Sequence, residues 1–317
     1  MRLVDHKAVL YVDMLGFSAL TENCPIESDD FAVVDRPNKE QFLQVKCEFT
    51  RHLHLPRGLE REIVRDRDRE YTLRGSESRT LATVGSFRVV SSRDLRDHND
   101  RPAAPRSGDL RHLREQGLIE TIRVPGHRDH AVVLTKDGRS LLERHRDRDQ
   151  EHGQTFYAGL KREREVEHDL QVYRAYERAA ARLLERGARI ERMVLDYELK
   201  HDYQKWLHER DREREDYDGH PDRTAEEIRE WALEHDLPDF DDEVHFQDVR
   251  IEYQEPDGRW DHEDIEVVTP HYRGAHGASV ARSGFSCYRV SLSIGGRSGG
   301  GRGGGGRHPR PAEEFWY

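Results

Sequence analysis

The most regular pattern of apolar and polar positions lies between residues 76 and 148. Apolar side chains at helical spacing predict three successive helices, and Gly117 stands where the third would end. Two β-prone runs, 118–124 and 131–135, then flank a turn, and Thr135 is placed to cap a closing helix. The helical positions are Leu81, Val84 and Phe87, then 91–95, then Leu110 and Leu113, and finally 136–142.

Three helices, a hairpin and a closing helix make up a winged helix-turn-helix, and the segment is similar to winged-helix domains of the MarR type. The shared features are Leu113, Gly117-Leu118, and Leu134-Thr135 followed by Gly138. The resemblance implies that the third helix enters the major groove of DNA and that the hairpin tip meets the backbone or the minor groove. The alternative use of such a module is protein contact or homodimerisation. The DNA-binding residues that it indicates are Arg106, Arg111, His112, Arg114, His127 and Arg128.

A second pattern follows in the C-terminal half. Residues 149–238 predict helices separated by one strand, 189–195, and Thr224 with Glu227 forms a capping box. Two more β-prone runs then surround a turn at 256–258, and polar and apolar residues alternate along them. Alternation brings acids from both strands together, which is how proteins hold a divalent metal for phosphodiester hydrolysis. These acids are Asp248, Asp264 and Glu266.

Residues 165–290 resemble the PD-(D/E)XK nuclease-like fold, because a helix, a strand and two acid-bearing strands follow in order. A winged helix followed by such a domain is similar to the replication-relaxation proteins of plasmids and other mobile elements, which His168-Asp169 also fits. In an active nuclease the resemblance implies Asp248 and Glu266 as catalytic residues. Those two residues and Asp264 would then hold Mg²⁺.

Two departures from the nuclease motif favour a non-catalytic domain. Gln247 stands where the motif has Pro, and Val268 stands where it needs the Lys that orients the attacking water. The sequence does not place Lys200, Lys205 or Arg250 as a substitute for that Lys.

The two ends of the chain carry other signals. Residues 8–12 predict a buried strand that ends at Asp13, and with the Gly-Phe pair that follows they resemble the opening of class III nucleotide cyclases. The polar stretch 25–75 predicts a linker, in which the Arg-Asp alternation at 65–69 indicates a solvated helix face or a disordered segment. From residue 294 onward, repeated Gly and Arg predict a disordered tail.

Composition and charge narrow the functional classes. The 317 residues carry a net charge of −11, and no run approaches the roughly 18 apolar residues that cross a bilayer. The first residues have no signal-peptide pattern, and three scattered cysteines cannot form a disulfide framework, so we expect a cytoplasmic protein without a membrane partner. Residues 76–148 hold 15 basic and 11 acidic residues, a net charge of +4 within an acidic chain. A basic module of this kind suits contact with phosphates.

The sequence therefore predicts an α+β protein that combines a winged helix-turn-helix with a nuclease-like α/β domain containing a mixed sheet. The expected function is binding of double-stranded DNA without catalysis, which needs no cofactor. The alternatives are a Mg²⁺-dependent DNA nuclease and, more remotely, a nucleotide cyclase. The expected divisions are a poorly defined N-terminal segment and linker, the winged helix, the nuclease-like domain and the disordered tail, at 1–75, 76–148, 160–293 and 294–317.

Overall fold

A computed structural model of the chain describes residues 49–124, 129–147, 153–160, 166–210, 223–240, 243–268 and 282–289. These residues form a mixed α+β structure, in which no helix is long and apolar enough to cross a membrane. The helices are α1 (Gly75–Phe87), α2 (Gly108–Glu115), α3 (Lys136–Arg144), α4 (Val166–Glu185), α5 (Asp196–Glu209) and α6 (Ala225–Glu234). The strands are β1 (Glu62–Asp66), β2 (Arg69–Leu73), β3 (Val90–Ser91), β4 (Ile119–Arg123), β5 (His130–Leu134), β6 (Arg189–Leu195), β7 (Asp239–Phe240), β8 (Glu243–Val244), β9 (Val249–Gln254), β10 (Trp260–Val268) and β11 (Ser286–Arg289).

The first half of the described chain is built around α1, which is buried along almost its whole length. It packs against α3 and against a three-stranded antiparallel sheet of order β3-β5-β4. Gly85 permits this close packing, because a Cβ there would come within 3.0 Å of side-chain atoms of Leu134, Leu142 and Phe156. Helix α1, strand β5 and helix α3 therefore form one tightly packed unit.

Several elements of this half occur where the apolar pattern predicts them, namely α1, α2, the β4–β5 hairpin and α3. Gly117 has a φ of 74°, the left-handed conformation that ends a helix. The Thr135 side chain accepts a hydrogen bond from the Gly138 backbone nitrogen at 3.0 Å and caps α3. Local signals were sufficient to predict these helix ends.

The helix predicted at 91–95 is absent, which corrects the helix-turn-helix prediction. Ser91 belongs to β3, and residues 92–106, all of which the structure describes, contain turns and an isolated bridge between Arg96 and Pro102. The pairing of β3 with β5 holds the chain extended where the helix would begin. A long loop therefore takes the place of the helix that was expected before α2.

The prediction of a linker or helix face at 65–69 is also wrong. Strands β1 and β2 pair antiparallel across this run, and the alternation of charge matches the period of a strand. Asp66 is buried and forms an ion pair with Arg144 of α3 at 2.7 Å. The turn is made by Arg67 at a φ of 54°. Because Gly or Asn usually signals such a turn, the sequence did not reveal the hairpin.

The second half contains a four-stranded mixed sheet of order β11-β10-β9-β6. Strands β10 and β11 are parallel, and the other neighbours are antiparallel. The mixed sheet and the bounds of β6 agree with the prediction. The capping box of α6 also forms, since Thr224 and Glu227 exchange hydrogen bonds of 2.8 and 3.2 Å.

One large apolar cluster contains residues of both halves. Phe87 at the end of α1 packs against Tyr173 and Tyr176 of α4, with ring centroids 4.9 and 4.8 Å away. Helix α4 also packs on β6, β9 and β10. It therefore connects the α1 unit to the four-stranded sheet through one continuous core.

Candidate functional site

Helix α2 presents basic side chains on its outer side. Leu110 and Leu113 are buried, whereas Arg111 and Arg114 are exposed, and positions three apart share one helix face. Arg106, shortly before the helix, is exposed as well. We call Arg106, Arg111 and Arg114 the α2 arginine surface.

The contacts of this surface within the chain are weak. Arg111 Nε donates to Glu115 Oε1 at 2.7 Å, and both side chains are more than half exposed. Arg114 Nη1 donates to the Pro105 carbonyl oxygen at 3.4 Å. Exposed ion pairs contribute little to stability, so an external anion can displace them at small cost. The arginines are therefore available to a polyanionic partner.

The inner side of α2 is held by a buried carboxylate. Asp109 is 1% exposed, and its Oδ2 accepts a hydrogen bond from Ser76 Oγ at 2.6 Å. Its Oδ1 accepts a hydrogen bond from Arg74 Nε at 3.1 Å, and His98 Nδ1 lies 3.2 Å away. Because Asp109 lies in the first turn of α2, these contacts fix the beginning of the helix against α1.

His112 belongs to this inner side and not to the exposed arginines. Its Nδ1 lies 2.9 Å from Glu77 Oε1, and its Nε2 lies 3.2 Å from Thr72 Oγ1. Glu77 is fully buried and also accepts hydrogen bonds from Arg61, the shortest of 2.7 Å. His112 therefore joins α2 to α1 and β2, although the sequence placed it among the DNA-binding residues.

The hairpin tip predicted to contact DNA is only partly described. His127 and Arg128 lie outside the described residues. At the root of the tip, Asp129 forms ion pairs with Arg93 and with Arg174 of α4. These three residues were not predicted as a group, because they are far apart in the chain and no local sequence pattern connects them.

The acids of the β9–β10 hairpin are engaged with other residues of the chain. Asp264 lies opposite Arg250 and accepts two hydrogen bonds from its guanidinium, of 2.7 and 2.9 Å. Their side chains are only 10% and 8% exposed. Arg250 also donates to the carbonyl oxygens of His235 and Asp236 at 2.7 and 2.9 Å. The Asp264 charge is thus neutralised inside the fold.

Asp248, immediately before β9, is also engaged. Its Oδ2 accepts a hydrogen bond from the Val267 backbone nitrogen at 2.7 Å and lies 3.2 Å from His168 Nε2. Burial lowers the pKa of His168, but hydrogen bonds and negative charge from Asp169 and Asp248 outweigh it and raise the pKa to about 10. His168 is therefore an imidazolium cation at neutral pH and pairs with Asp248.

Glu266 is 5% exposed and lies in β10, in register with Cys287 of β11. Within the described ranges, no three or more His, Cys, Asp or Glu side chains are grouped to hold a metal ion. Two of the three cations considered as substitutes for the motif Lys have other contacts, since Arg250 pairs with Asp264 and Lys200 Nζ lies 2.7 Å from Asp196 Oδ2. Asp13 lies outside the described residues.

Comparison of the chain with protein-family models, with curated proteins and with solved structures gave no match. The resemblances to MarR-type winged helices and to replication-relaxation proteins therefore remain predictions.

Proposed function

We propose that this protein binds double-stranded DNA through the α2 arginine surface and the neighbouring β4–β5 hairpin, in the manner of a winged helix. One observation carries the proposal: α2 exposes Arg111 and Arg114 outward while buried Asp109 anchors its opposite side. A helix fixed in this way offers its cations in a defined geometry. The major groove of DNA is wide enough for an α-helix, and arginine pairs well with both phosphate and guanine.

The distribution of charge supports a nucleic acid as the partner. Residues 76–148 carry a net charge of +4 in a chain whose total is −11. An acidic remainder repels phosphates, so a bound duplex would be directed to the basic module. The exposed positions of Arg106, Arg111 and Arg114 provide contacts for that duplex.

In this proposal the mixed-sheet region supports the DNA-binding module and does not cleave DNA. Asp264 is neutralised by Arg250, and Asp248 is paired with His168. Mg²⁺ would have to displace both cations before it could bind these acids. The non-catalytic function is therefore favoured over the nuclease.

The proposal is tested by fluorescence anisotropy with a labelled duplex at two salt concentrations. We expect the double variant Arg111→Ala/Arg114→Ala to bind roughly 30- to 100-fold more weakly and to show a salt slope smaller by about 2. A double variant that removes the same charge, Arg189→Ala/Arg259→Ala, serves as the control, because both arginines are exposed on the other half of the molecule. Equal affinity of the two variants would contradict the proposal.

A further inference from the structure

We infer that Arg174 of α4 is a positioning residue for the β4–β5 hairpin, so that DNA binding by the first half depends on a residue from the second half. This inference rests on the proposed function, because it concerns the same DNA-binding surface. Arg174 itself lies behind the hairpin root and is not assigned a contact with DNA.

Arg174 connects two segments that border the proposed surface. Its Nε donates to Asp94 Oδ2 at 2.7 Å, and its Nη2 lies 3.9 Å from Asp129 Oδ2. Asp94 lies in the loop that leads to α2, and Asp129 immediately precedes β5. A single guanidinium therefore holds the approach to α2 and the root of the hairpin tip.

Asp129 has two further contacts with side chains of the first half. Arg93 Nε lies 2.5 Å from Asp129 Oδ1, and Ser91 Oγ donates to Asp129 Oδ2 at 3.3 Å. The two carboxylates of Asp94 and Asp129 are thus matched by the guanidinium groups of Arg93 and Arg174. Since both acids are only 14% exposed, loss of either arginine leaves a poorly hydrated negative charge.

Arg174 can set the position of the hairpin because its own backbone is fixed. The preceding residue, Tyr173, and Tyr176 are fully buried in the core that α4 shares with Phe87. Close-packed side chains of this kind resist displacement of the helix. The position of α4, which also packs on β9 and β10, is therefore transmitted to Asp129 through the guanidinium of Arg174.

Removal of Arg174 has two expected consequences at the surface. The hairpin root at Asp129 loses one of its two arginine contacts, so this root becomes less restricted. The removal also takes one positive charge away from the carboxylates of Asp94 and Asp129. Both effects disfavour the approach of DNA phosphates along the hairpin.

The test compares Arg174→Ala with Arg182→Ala on the same helix. Arg182 lies two turns further along, about 12 Å away, and donates to Glu263 Oε1 and to the Tyr288 hydroxyl, both in the four-stranded sheet. The two variants lose the same charge from α4. We expect Arg174→Ala to weaken duplex binding about tenfold, with a smaller salt slope, while Arg182→Ala changes affinity less than twofold.

Two further readouts separate positioning from general destabilisation. Arg174→Lys should recover part of the affinity, because it restores the charge, and the thermal midpoints of the two alanine variants should remain similar. Hydrogen exchange of the 130–134 amides should be faster in Arg174→Ala than in Arg182→Ala. Wild-type affinity in Arg174→Ala, or equal losses in both alanine variants, would overturn the inference.

The failure of the inference is distinguishable from failure of the proposed function. If the wild-type protein does not bind duplex DNA at low salt, the proposed function fails. The exchange rates at 130–134 then still show whether Arg174 positions the hairpin. If the wild-type protein binds and Arg174→Ala binds equally well with unchanged exchange, only the role of Arg174 is overturned.

Discussion

The α2 arginine surface and the β9–β10 acidic hairpin differ in what their charged groups already contact. On α2, Arg111 and Arg114 point away from the core and make only exposed contacts. In the hairpin, Asp264 is paired with the buried Arg250, and Asp248 is paired with His168. The sequence predicted a functional site in both regions, for DNA on α2 and for a metal ion in the hairpin. A charged residue is available to a ligand only where the fold leaves it without a strong internal partner.

The physical origin of this difference is the position of each element. Helix α2 covers the core with one face, and its other face meets water. Strands β9 and β10 are both inner strands, between β6 and β11, and α4 packs on both of them. A charge on an enclosed strand must be paired, because an isolated buried charge costs several kcal/mol. Asp264 and Asp248 are therefore paired with cationic side chains of the same chain.

The largest expected effect is on stability at the acidic hairpin. Asp264→Ala leaves the buried Arg250 guanidinium without its carboxylate and should lower the free energy of unfolding by about 3 kcal/mol, measured by urea denaturation. Asp261→Ala, an exposed acid on the same strand, should change it by less than about 0.5 kcal/mol. Equal stability of the two variants would show that Asp264 is not committed to Arg250.

A smaller effect should appear in the pH dependence of stability. The pKa of His168 is raised from 6.5 to about 10. The contribution of its charged form to the free energy of unfolding is therefore fully present below pH 6.5 and is lost as the pH rises toward 10. We expect wild-type protein to lose on the order of 1–2 kcal/mol more than His168→Gln over this range, after solvent screening. Urea denaturation at pH 6.5, 8 and 9.5 measures this difference.

The control for the pH experiment is His201→Gln, because His201 is an exposed histidine on α5. This variant should retain the pH dependence of the wild-type protein. Parallel stability curves for wild-type protein and His168→Gln would mean that His168 is not held as a cation by Asp248, and the acid would then be open to a metal ion.

The smallest expected effect is on the affinity for duplex DNA, and it tests whether the face of α2 that carries Arg111 approaches the duplex. Glu115→Gln removes the negative charge beside Arg111 and should strengthen duplex binding about two- to fourfold at low salt, as measured by anisotropy. Glu230→Gln, at an exposed position on α6, should leave the affinity unchanged. An unchanged affinity in Glu115→Gln would indicate that this face of α2 does not approach the duplex.

Local signals in the sequence were sufficient to predict the helices and strands that have strong periodicity or capping residues. Strand β6 and the capping box at Thr224 form where they were predicted. The helix expected at 91–95 does not form, because the pairing of β3 with β5 is a tertiary contact that helix propensity does not include. Tertiary pairing therefore overrode the local signal.

The site residues were predictable to different degrees. The exposed arginines of α2 follow directly from helix periodicity. The Arg250–Asp264 pair could have been predicted from the sequence. Counting outward from the turn at 256–258 places the two residues opposite each other in the β9–β10 hairpin. The contact of His168 with Asp248 and the contacts of Arg174 depend on how α4 packs, which no local pattern specifies.

The most direct test of DNA binding without cleavage is an anisotropy titration of labelled duplex DNA with the full chain. The titration is made at two salt concentrations, with and without Mg²⁺, and the DNA is then examined on a gel. We expect binding that weakens with salt, together with intact DNA under every condition. Absence of binding at low salt, or cleavage that appears only with Mg²⁺, would contradict it.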